Sequence, residues 1–178
     1  LADKYKVNLD GVLTWSFTFE DQPYFAGYRQ LASTGLDLPV LNVFRLFSRM
    51  GETRIEANSS AEIPLEEITG RGGRGSPDIG TLATTTGDGK VAVLVWNYHD
   101  DDVPGPDAAI TLNLAGLGSG TTRQLTTWRV DKANGNSYSA WQAMGSPQSP
   151  NATQYAQLEK ASVMIPEARA VSVRSGRA

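Results

Sequence analysis

Two adjacent carboxylates and a short aromatic segment are the residues of this chain that could do chemistry together. Glu20 and Asp21 come directly after an apolar run, and Tyr24 and Phe25 follow them closely. Acids and aromatic rings at the end of a buried strand are typical of one wall of a sugar site in a barrel enzyme. An ordinary core strand followed by a solvated acidic turn would give the same pattern over this stretch.

The two acids are poorly arranged to be the acid and the nucleophile of a glycosidase. A retaining enzyme holds its two catalytic carboxyl groups about 5 to 5.5 Å apart on opposite sides of one bond. Adjacent residues at a strand end project in different directions. Glu20 and Asp21 therefore suit hydrogen bonding to sugar hydroxyls instead.

A strand before these residues and a helix after them must position them. Large apolar residues alternate with small ones from Val12 to Phe19, which predicts a strand. Further on, Asp37 is a suitable N-cap, Pro39 fits a first helical turn, and Gly51 is a natural stop. Between them, apolar residues recur at helical spacing, namely Val40, Val43, Phe44, Phe47 and Met50. This spacing predicts a helix that packs firmly against a sheet.

The second part of the chain is rich in strand-like runs separated by turn signals. These runs cover residues 82–86, 90–98, 109–114, 124–130, 161–165 and 170–173. The glycines around Asp88 predict a tight hairpin between the first two runs. We expect an antiparallel β-sandwich, with one short helix from about Ala152 to Lys160 that is capped by Asn151.

Three other patterns are better explained by structure than by function. The glycine-rich segment 70–75 matches a dinucleotide-binding spacing, but no strand precedes it and no helix follows, so we expect a loop. His99 and the acidic run after it lack the spaced oxygen ligands of a cation loop, which indicates a solvated turn. We interpret Trp96, Trp128 and Trp141 mainly as core or interface aromatics, with a sugar platform as the alternative.

Composition excludes several classes of partner and site. The net charge of −3 gives no general attraction to nucleic acid or to an anionic membrane. Without cysteine the chain has no disulfide, thiolate metal site or cysteine nucleophile. No apolar run approaches the roughly 18 residues that a membrane-spanning helix needs. The chain opens at Leu1 on what resembles the end of a helix, so we expect it to be the C-terminal piece of a longer protein.

Two blocks, LTWSFTFEDQPYF and DLPVLNVFRLF, resemble the last β/α unit of the barrel in glycoside hydrolase family 39, the β-xylosidase and α-L-iduronidase family. Segment 128–158 resembles the C-terminal region of the same family. The resemblance implies a mixed fold, in which residues 1–51 are strand 8 and helix 8 of a (β/α)8 TIM barrel. Residues 52–178 would then form an antiparallel β-sandwich accessory domain.

The resemblance also implies a role for four residues. The strand-eight tryptophan of the family, which lines the floor of the −1 sugar subsite, falls on Trp15. Its acidic loop falls on Glu20 and Asp21, with Phe25 as a neighbouring aromatic wall. The catalytic acid/base and nucleophile glutamates of the family would both precede Leu1, so this chain is expected to contain no catalytic residue, metal site or cofactor.

The expected function is therefore that of the C-terminal part of a retaining β-xylosidase. The sequence of the TFEDQPYF loop resembles bacterial β-xylosidases more than iduronidases, and the cytoplasm and the periplasm both stay open as locations. The expected partners are a xyloside or xylo-oligosaccharide substrate and the missing N-terminal barrel segment; self-association stays open. The alternatives are a non-catalytic carbohydrate-binding sandwich that holds xylan oligomers on exposed Trp or Tyr residues, or a purely structural domain.

Overall fold

The computed structural model describes residues 5–8, 10–11, 22–26, 30–73, 75–99, 105–118, 122–174 and 177. Over these residues the chain is a small mixed α/β protein with several small antiparallel sheets. The predicted strand from Val12 to Phe19 lies outside the described residues and stays a prediction.

Short strands and short helices make up the regular structure of the described residues. The strands are β1 (Ala32–Ser33), β2 (Leu36–Asp37), β3 (Thr53–Ile55), β4 (Asp78–Thr85), β5 (Val91–Tyr98), β6 (Thr122–Thr127) and β7 (Glu167–Ser172). The helices are α1 (Pro39–Phe47), α2 (Leu65–Arg71), α3 (Ser137–Ala143) and α4 (Ala152–Ser162).

Contacts divide the chain into two compact units, each made from two separate stretches. The first contains Leu1–Val12 and Leu46–Ile110, and the second contains Leu13–Arg45 and Thr111–Ala178. The predicted division into a barrel end and a sandwich at residue 51 stays a prediction.

The first unit contains a three-stranded antiparallel sheet with β4 between β3 and β5. The predicted hairpin is confirmed: Thr86 donates its backbone N–H to the Lys90 carbonyl at 3.1 Å, and Gly89 adopts a φ of 78°. Glycine reaches this left-handed conformation without a steric penalty. Trp96 on β5 lies across Gly80 on β4, where a Cβ atom would clash with the indole.

Two predicted strands are wrong. Segment 109–114 forms no strand, and Ile110 and Leu112 are exposed. Alternating apolar residues specify which side of a strand is buried, but a strand also needs a neighbour for its backbone, and no described strand pairs with this segment. The run that begins at Ala161 instead continues α4 to Ser162, and β7 starts only at Glu167.

The second unit contains a cluster of buried core residues. Leu36 of β2, Trp141 of α3 and Leu158 of α4 pack together. The predicted helix capped by Asn151 is confirmed as α4, and it starts with a capping box in which Asn151 and Gln154 bond to each other's backbone N–H.

Helix α1 lies where the apolar spacing predicts it, but the predicted firm packing is not seen in the described residues. Phe44 and Phe47 are 44% and 49% exposed, while the buried residue of the helix is Asn42. Helical spacing identifies an apolar stripe, but it does not supply the surface that covers the stripe. No sheet among the described elements covers this one.

Asn42 connects α1 to two distant parts of the second unit. Its amide nitrogen donates to the carbonyl oxygens of Gly135 at 2.9 Å and Ser162 at 2.7 Å. Its amide oxygen accepts a hydrogen bond from Arg45, which also pairs with Asp37 at 2.7 Å. Asp37, predicted as the N-cap of α1, thus forms an ion pair with an arginine of that helix. These bonds fix the start of α1 close to β2 and to the segment that leads into α3.

Candidate functional site

The structure describes one of the four residues predicted for the sugar site. Trp15, Glu20 and Asp21 lie outside the described residues, and their roles stay predictions. Phe25 is described, and it lies within the second unit.

The loop that carries Phe25 is held in an unusual backbone conformation. Ala26 donates its N–H to the Pro23 carbonyl at 3.1 Å, which closes a turn, and Phe25 has a φ of 57°. This left-handed region costs a residue with a side chain about 1 to 2 kcal/mol. Such a conformation persists only where the surroundings hold it, and it is concentrated at ligand sites.

Two side chains from elsewhere in the chain hold the backbone of this loop. The Phe25 N–H donates to the hydroxyl of the buried Ser33 at 2.7 Å. The Tyr24 N–H donates to the Gln148 side chain at 3.0 Å. These two bonds hold the backbone at Tyr24 and Phe25 in place.

The Phe25 ring belongs to a cluster of four aromatic side chains, which we call the aromatic cluster: Tyr24, Phe25, Tyr138 and Trp141. The centroid of the Phe25 ring lies 4.9 Å from that of Trp141, 5.7 Å from that of Tyr138 and 6.4 Å from that of Tyr24. All three ring pairs are tilted, at separations typical of favourable aromatic contacts. The cluster thus presents Phe25 on a rigid aromatic support.

Helix α3 supplies two of the four rings. It begins after Asn136, whose side chain accepts the Ser139 N–H at 3.0 Å as an N-cap. Tyr138 and Trp141 are three residues apart, so they lie on the same side of the helix. Their rings are 5.8 Å apart.

Trp141 is the buried anchor of the aromatic cluster. It is 9% exposed, and its indole N–H donates to the Pro147 carbonyl at 2.9 Å. Its interpretation as a core aromatic is confirmed. Trp96, in the other unit, is half-buried and donates to the Asp78 carboxylate at 2.8 Å, which also suits a structural role.

Sequence reasoning missed α3 and, with it, Tyr138. The signal was present but short: Asn136 is a good N-cap, and Tyr138 and Trp141 follow at helical spacing. A helix of seven residues contains too few apolar positions for periodicity to identify it.

The surroundings of the aromatic cluster are mostly uncharged. Tyr155 packs against the core beside the aromatic cluster, and burial raises the pKa of its hydroxyl, with smaller contributions from Glu159 and Tyr24.

Across the residues that the structure describes, no group of three His, Cys, Asp or Glu side chains is placed to hold a metal ion. In that part of the chain, no helix is both long enough and apolar enough to cross a membrane.

The aromatic cluster consists of ring faces and two Tyr hydroxyls, and its four side chains include no carboxyl, imidazole or thiol group. Aromatic faces cover the C–H surfaces of a ring-shaped ligand, and Tyr hydroxyls and Gln amides can hydrogen-bond its polar groups. Any acid, base or nucleophile acting at this cluster would have to come from other residues.

Comparison with known proteins identifies the family. The model of the family described as Glycosyl hydrolases family 39 matches residues 11–178. The chain belongs to glycosyl hydrolase family 39. The resemblance found in the LTWSFTFEDQPYF and DLPVLNVFRLF blocks is thereby confirmed at the level of the family.

Membership of family 39 implies glycosidase activity, and the aromatic cluster lies within the matched residues. The matched range includes Trp15, Glu20 and Asp21 as well as all four rings of the aromatic cluster. No curated protein matches the chain.

Proposed function

We propose that this family 39 chain is the C-terminal part of a retaining β-xylosidase, which hydrolyses terminal β-D-xylosides from xylo-oligosaccharides. The observation that carries the proposal is the rigidly held Phe25. It lies in a strained loop directly after the two acids, within the range that matches the family. Xylose is an uncharged ring with several hydroxyl groups, so an aromatic wall beside acidic hydrogen-bond acceptors suits it.

In this proposal each predicted site residue has a distinct task. Trp15 forms the floor of the −1 subsite, and Glu20 and Asp21 accept hydrogen bonds from sugar hydroxyls. Phe25 closes one side and excludes water. Bonds to hydroxyl groups that strengthen in the transition state accelerate glycoside hydrolysis.

The reaction itself needs two further carboxyl groups, which the N-terminal barrel segment would supply. One would act as the nucleophile and form a covalent glycosyl-enzyme intermediate, and the other would serve first as acid and then as base. The anomeric configuration of the sugar is then retained. This chain contributes binding and orientation.

The proposed architecture places residues 1–51 at the end of a (β/α)8 barrel and residues 52–178 in an accessory β-sandwich. The exposed phenylalanines of α1 support this arrangement, because a barrel helix needs a sheet beneath its apolar stripe. Phe44 and Phe47 are the residues that neighbouring barrel elements would cover.

The experiment that tests the function is an assay of the complete enzyme on nitrophenyl glycosides. We expect turnover of the β-xyloside in preference to the α-L-arabinoside and the α-L-iduronide. Proton NMR of the first product should show β-xylose before mutarotation. Preference for another glycoside, or an inverted first product, would contradict the proposal.

A substitution then tests the contribution of this chain. Trp15→Ala should lower kcat/KM on the β-xyloside by about tenfold to a hundredfold, equal to about 1.4 to 2.7 kcal/mol of transition-state stabilisation. Trp96→Phe, in the other unit, is the matched control and should leave kcat/KM within about twofold. If kcat/KM on the β-xyloside is the same for the two variants, Trp15 does not belong to the site.

A non-catalytic carbohydrate-binding domain is the second candidate, and the exposed ring of Tyr138 favours it. This alternative predicts binding of xylan oligomers without turnover of any glycoside. The same nitrophenyl assay, combined with calorimetric titration of xylotriose, distinguishes the two functions.

A further inference from the structure

We propose that Arg174 and Arg177 form an anion-binding site that takes the phosphate group of a small molecule. The site is an open pocket of about 330 Å³ in the second unit, and its other lining residues are Asn113, Leu114 and Ala115. None of these residues belongs to the aromatic cluster. The proposal therefore goes beyond the hydrolysis of xylosides and does not depend on it.

The first observation is the way in which the backbone places the two arginines. Arg174 donates its backbone N–H to the Arg177 carbonyl at 2.8 Å, and Arg177 donates its own N–H to the Arg174 carbonyl at 2.9 Å. The two residues thus form an antiparallel pair directly after the buried Val173. Side chains of such a pair lie on the same face, with their Cβ atoms about 5 Å apart. Both guanidinium groups therefore belong to one pocket.

The second observation is the lack of a balancing negative charge in the described pocket. None of the five described residues that line it is acidic. No ion pair joins either arginine to a carboxylate in the part of the chain that the structure describes. Like charges that lie directly opposite each other on paired strands are destabilising. An anion held between the two side chains would replace this repulsion by attraction.

The third observation is that the facing wall of the pocket is held in place. Ala115 pairs with Arg177 in a second antiparallel bridge. Two residues further on, the Leu117 carbonyl accepts a hydrogen bond from the Arg123 side chain of β6 at 3.2 Å. These contacts attach this wall both to the arginine pair and to β6. A site whose walls are already in position loses less conformational entropy when a ligand binds.

The lining groups select the class of ligand. A guanidinium group presents its N–H donors in a planar fork that matches the oxygen atoms of a phosphate or a carboxylate. Two forks offer more donors and more charge than one carboxylate can use, whereas a phosphate group has three acceptor oxygens and nearly two negative charges. Asn113 adds an uncharged amide, and Leu114 and Ala115 add an apolar surface. The pocket therefore suits a phosphate monoester with an apolar or neutral organic part.

Calorimetric titration of the complete protein tests the site, with phenyl phosphate, inorganic phosphate and acetate as probes. In sodium chloride at about 0.15 M, weak attraction between distant exposed charges is largely screened. We expect both phosphates to bind and acetate to bind at least about tenfold more weakly. Tighter binding of phenyl phosphate would identify a monoester as the ligand, whereas equal or tighter binding of inorganic phosphate would identify the free ion.

Single substitutions then locate the binding. Arg174→Gln and Arg177→Gln should each weaken the affinity for phenyl phosphate at least about tenfold, because each removes one of the two forks. Arg174→Lys keeps the charge but loses the planar fork, so it should weaken the affinity about threefold. Arg71→Gln removes the same charge from the other unit, and as the matched control it should stay within about twofold of the unmodified protein.

Three results would overturn the proposal. They are absence of binding of both phosphates at millimolar concentration, an affinity for acetate equal to that for the phosphates, and equal weakening by Arg71→Gln and Arg174→Gln. Both pocket arginines are exposed, so the circular dichroism of their variants should match that of the unmodified protein. If Arg174→Gln does not fold, Arg174→Lys and Arg177→Gln test the same site. None of these measurements uses xyloside turnover, so failure of the xylosidase proposal would leave their results unchanged.

Discussion

Replacing Asn42 by alanine should destabilise the second unit more than any substitution at an exposed asparagine. Asn42 is 1% exposed, and its amide nitrogen donates to two backbone carbonyls that are far away in the chain. Both carbonyls belong to buried residues, Gly135 and Ser162. The substitution therefore leaves two buried acceptors without the donor that satisfies them.

The magnitude follows from these contacts. Each lost hydrogen bond costs about 1 kcal/mol net, and a buried carbonyl left without a partner adds about 1 kcal/mol or more. Alanine is a better helix former than asparagine and recovers about 0.6 kcal/mol at this position in α1. For two bonds and two carbonyls, we expect Asn42→Ala to lower the free energy of unfolding by about 3 to 4 kcal/mol.

Urea denaturation followed by circular dichroism and tryptophan fluorescence measures this loss. With an m value of about 2 kcal/mol per molar urea, the midpoint should fall by about 1.5 to 2 M. Asn58→Ala is the matched control, because Asn58 is exposed and its side chain bonds only to the nearby Glu56 among the contacts described. The control should stay within about 0.5 kcal/mol of the unmodified chain. A midpoint for Asn42→Ala equal to that of the control would refute the reasoning.

Two further predictions concern segments on either side of α3. Asn151→Ala removes the side chain that accepts the Gln154 N–H at 2.9 Å, so it should cost about 1 kcal/mol and lower the melting temperature. At Asp131, burial raises the carboxyl pKa, but hydrogen bonds from the backbone of Ala133 and from Asn134 outweigh it, and the net pKa is lowered. A lowered pKa stabilises the folded state above the ordinary Asp value of about 3.9, and this contribution disappears as pH falls through the folded pKa. Asp131→Ala should therefore reduce the melting temperature at pH 7, and the difference from the unmodified chain should shrink below about pH 4; a pH-independent difference would contradict this.

Local patterns in the sequence were sufficient for the elements that local forces specify. The hairpin at Asp88 and the helix after Asn151 both form as predicted, because a glycine turn and a side-chain cap act within a few residues. Helix α1 also forms where its apolar spacing places it. The family assignment likewise depended on contiguous blocks of sequence.

Only the tertiary structure decided which neighbours these elements have. Segment 109–114 alternates like a strand, yet no described strand pairs with it, and pairing depends on residues distant in sequence. The aromatic cluster is the clearest case. Phe25 and Trp141 are 116 positions apart in the sequence, and no local pattern predicts that their ring centroids lie 4.9 Å from each other.

The sequence by itself thus determined the family, the composition of the site loop and the elements with strong local signals. The tertiary structure decided that Phe25 is supported by α3, that Tyr138 stands beside it, and that Asn42 is the buried residue of its helix. The physical reason is the same in each case. Caps and turns are satisfied within one or two turns of chain, whereas ring contacts and buried amides need partners that only folding brings together.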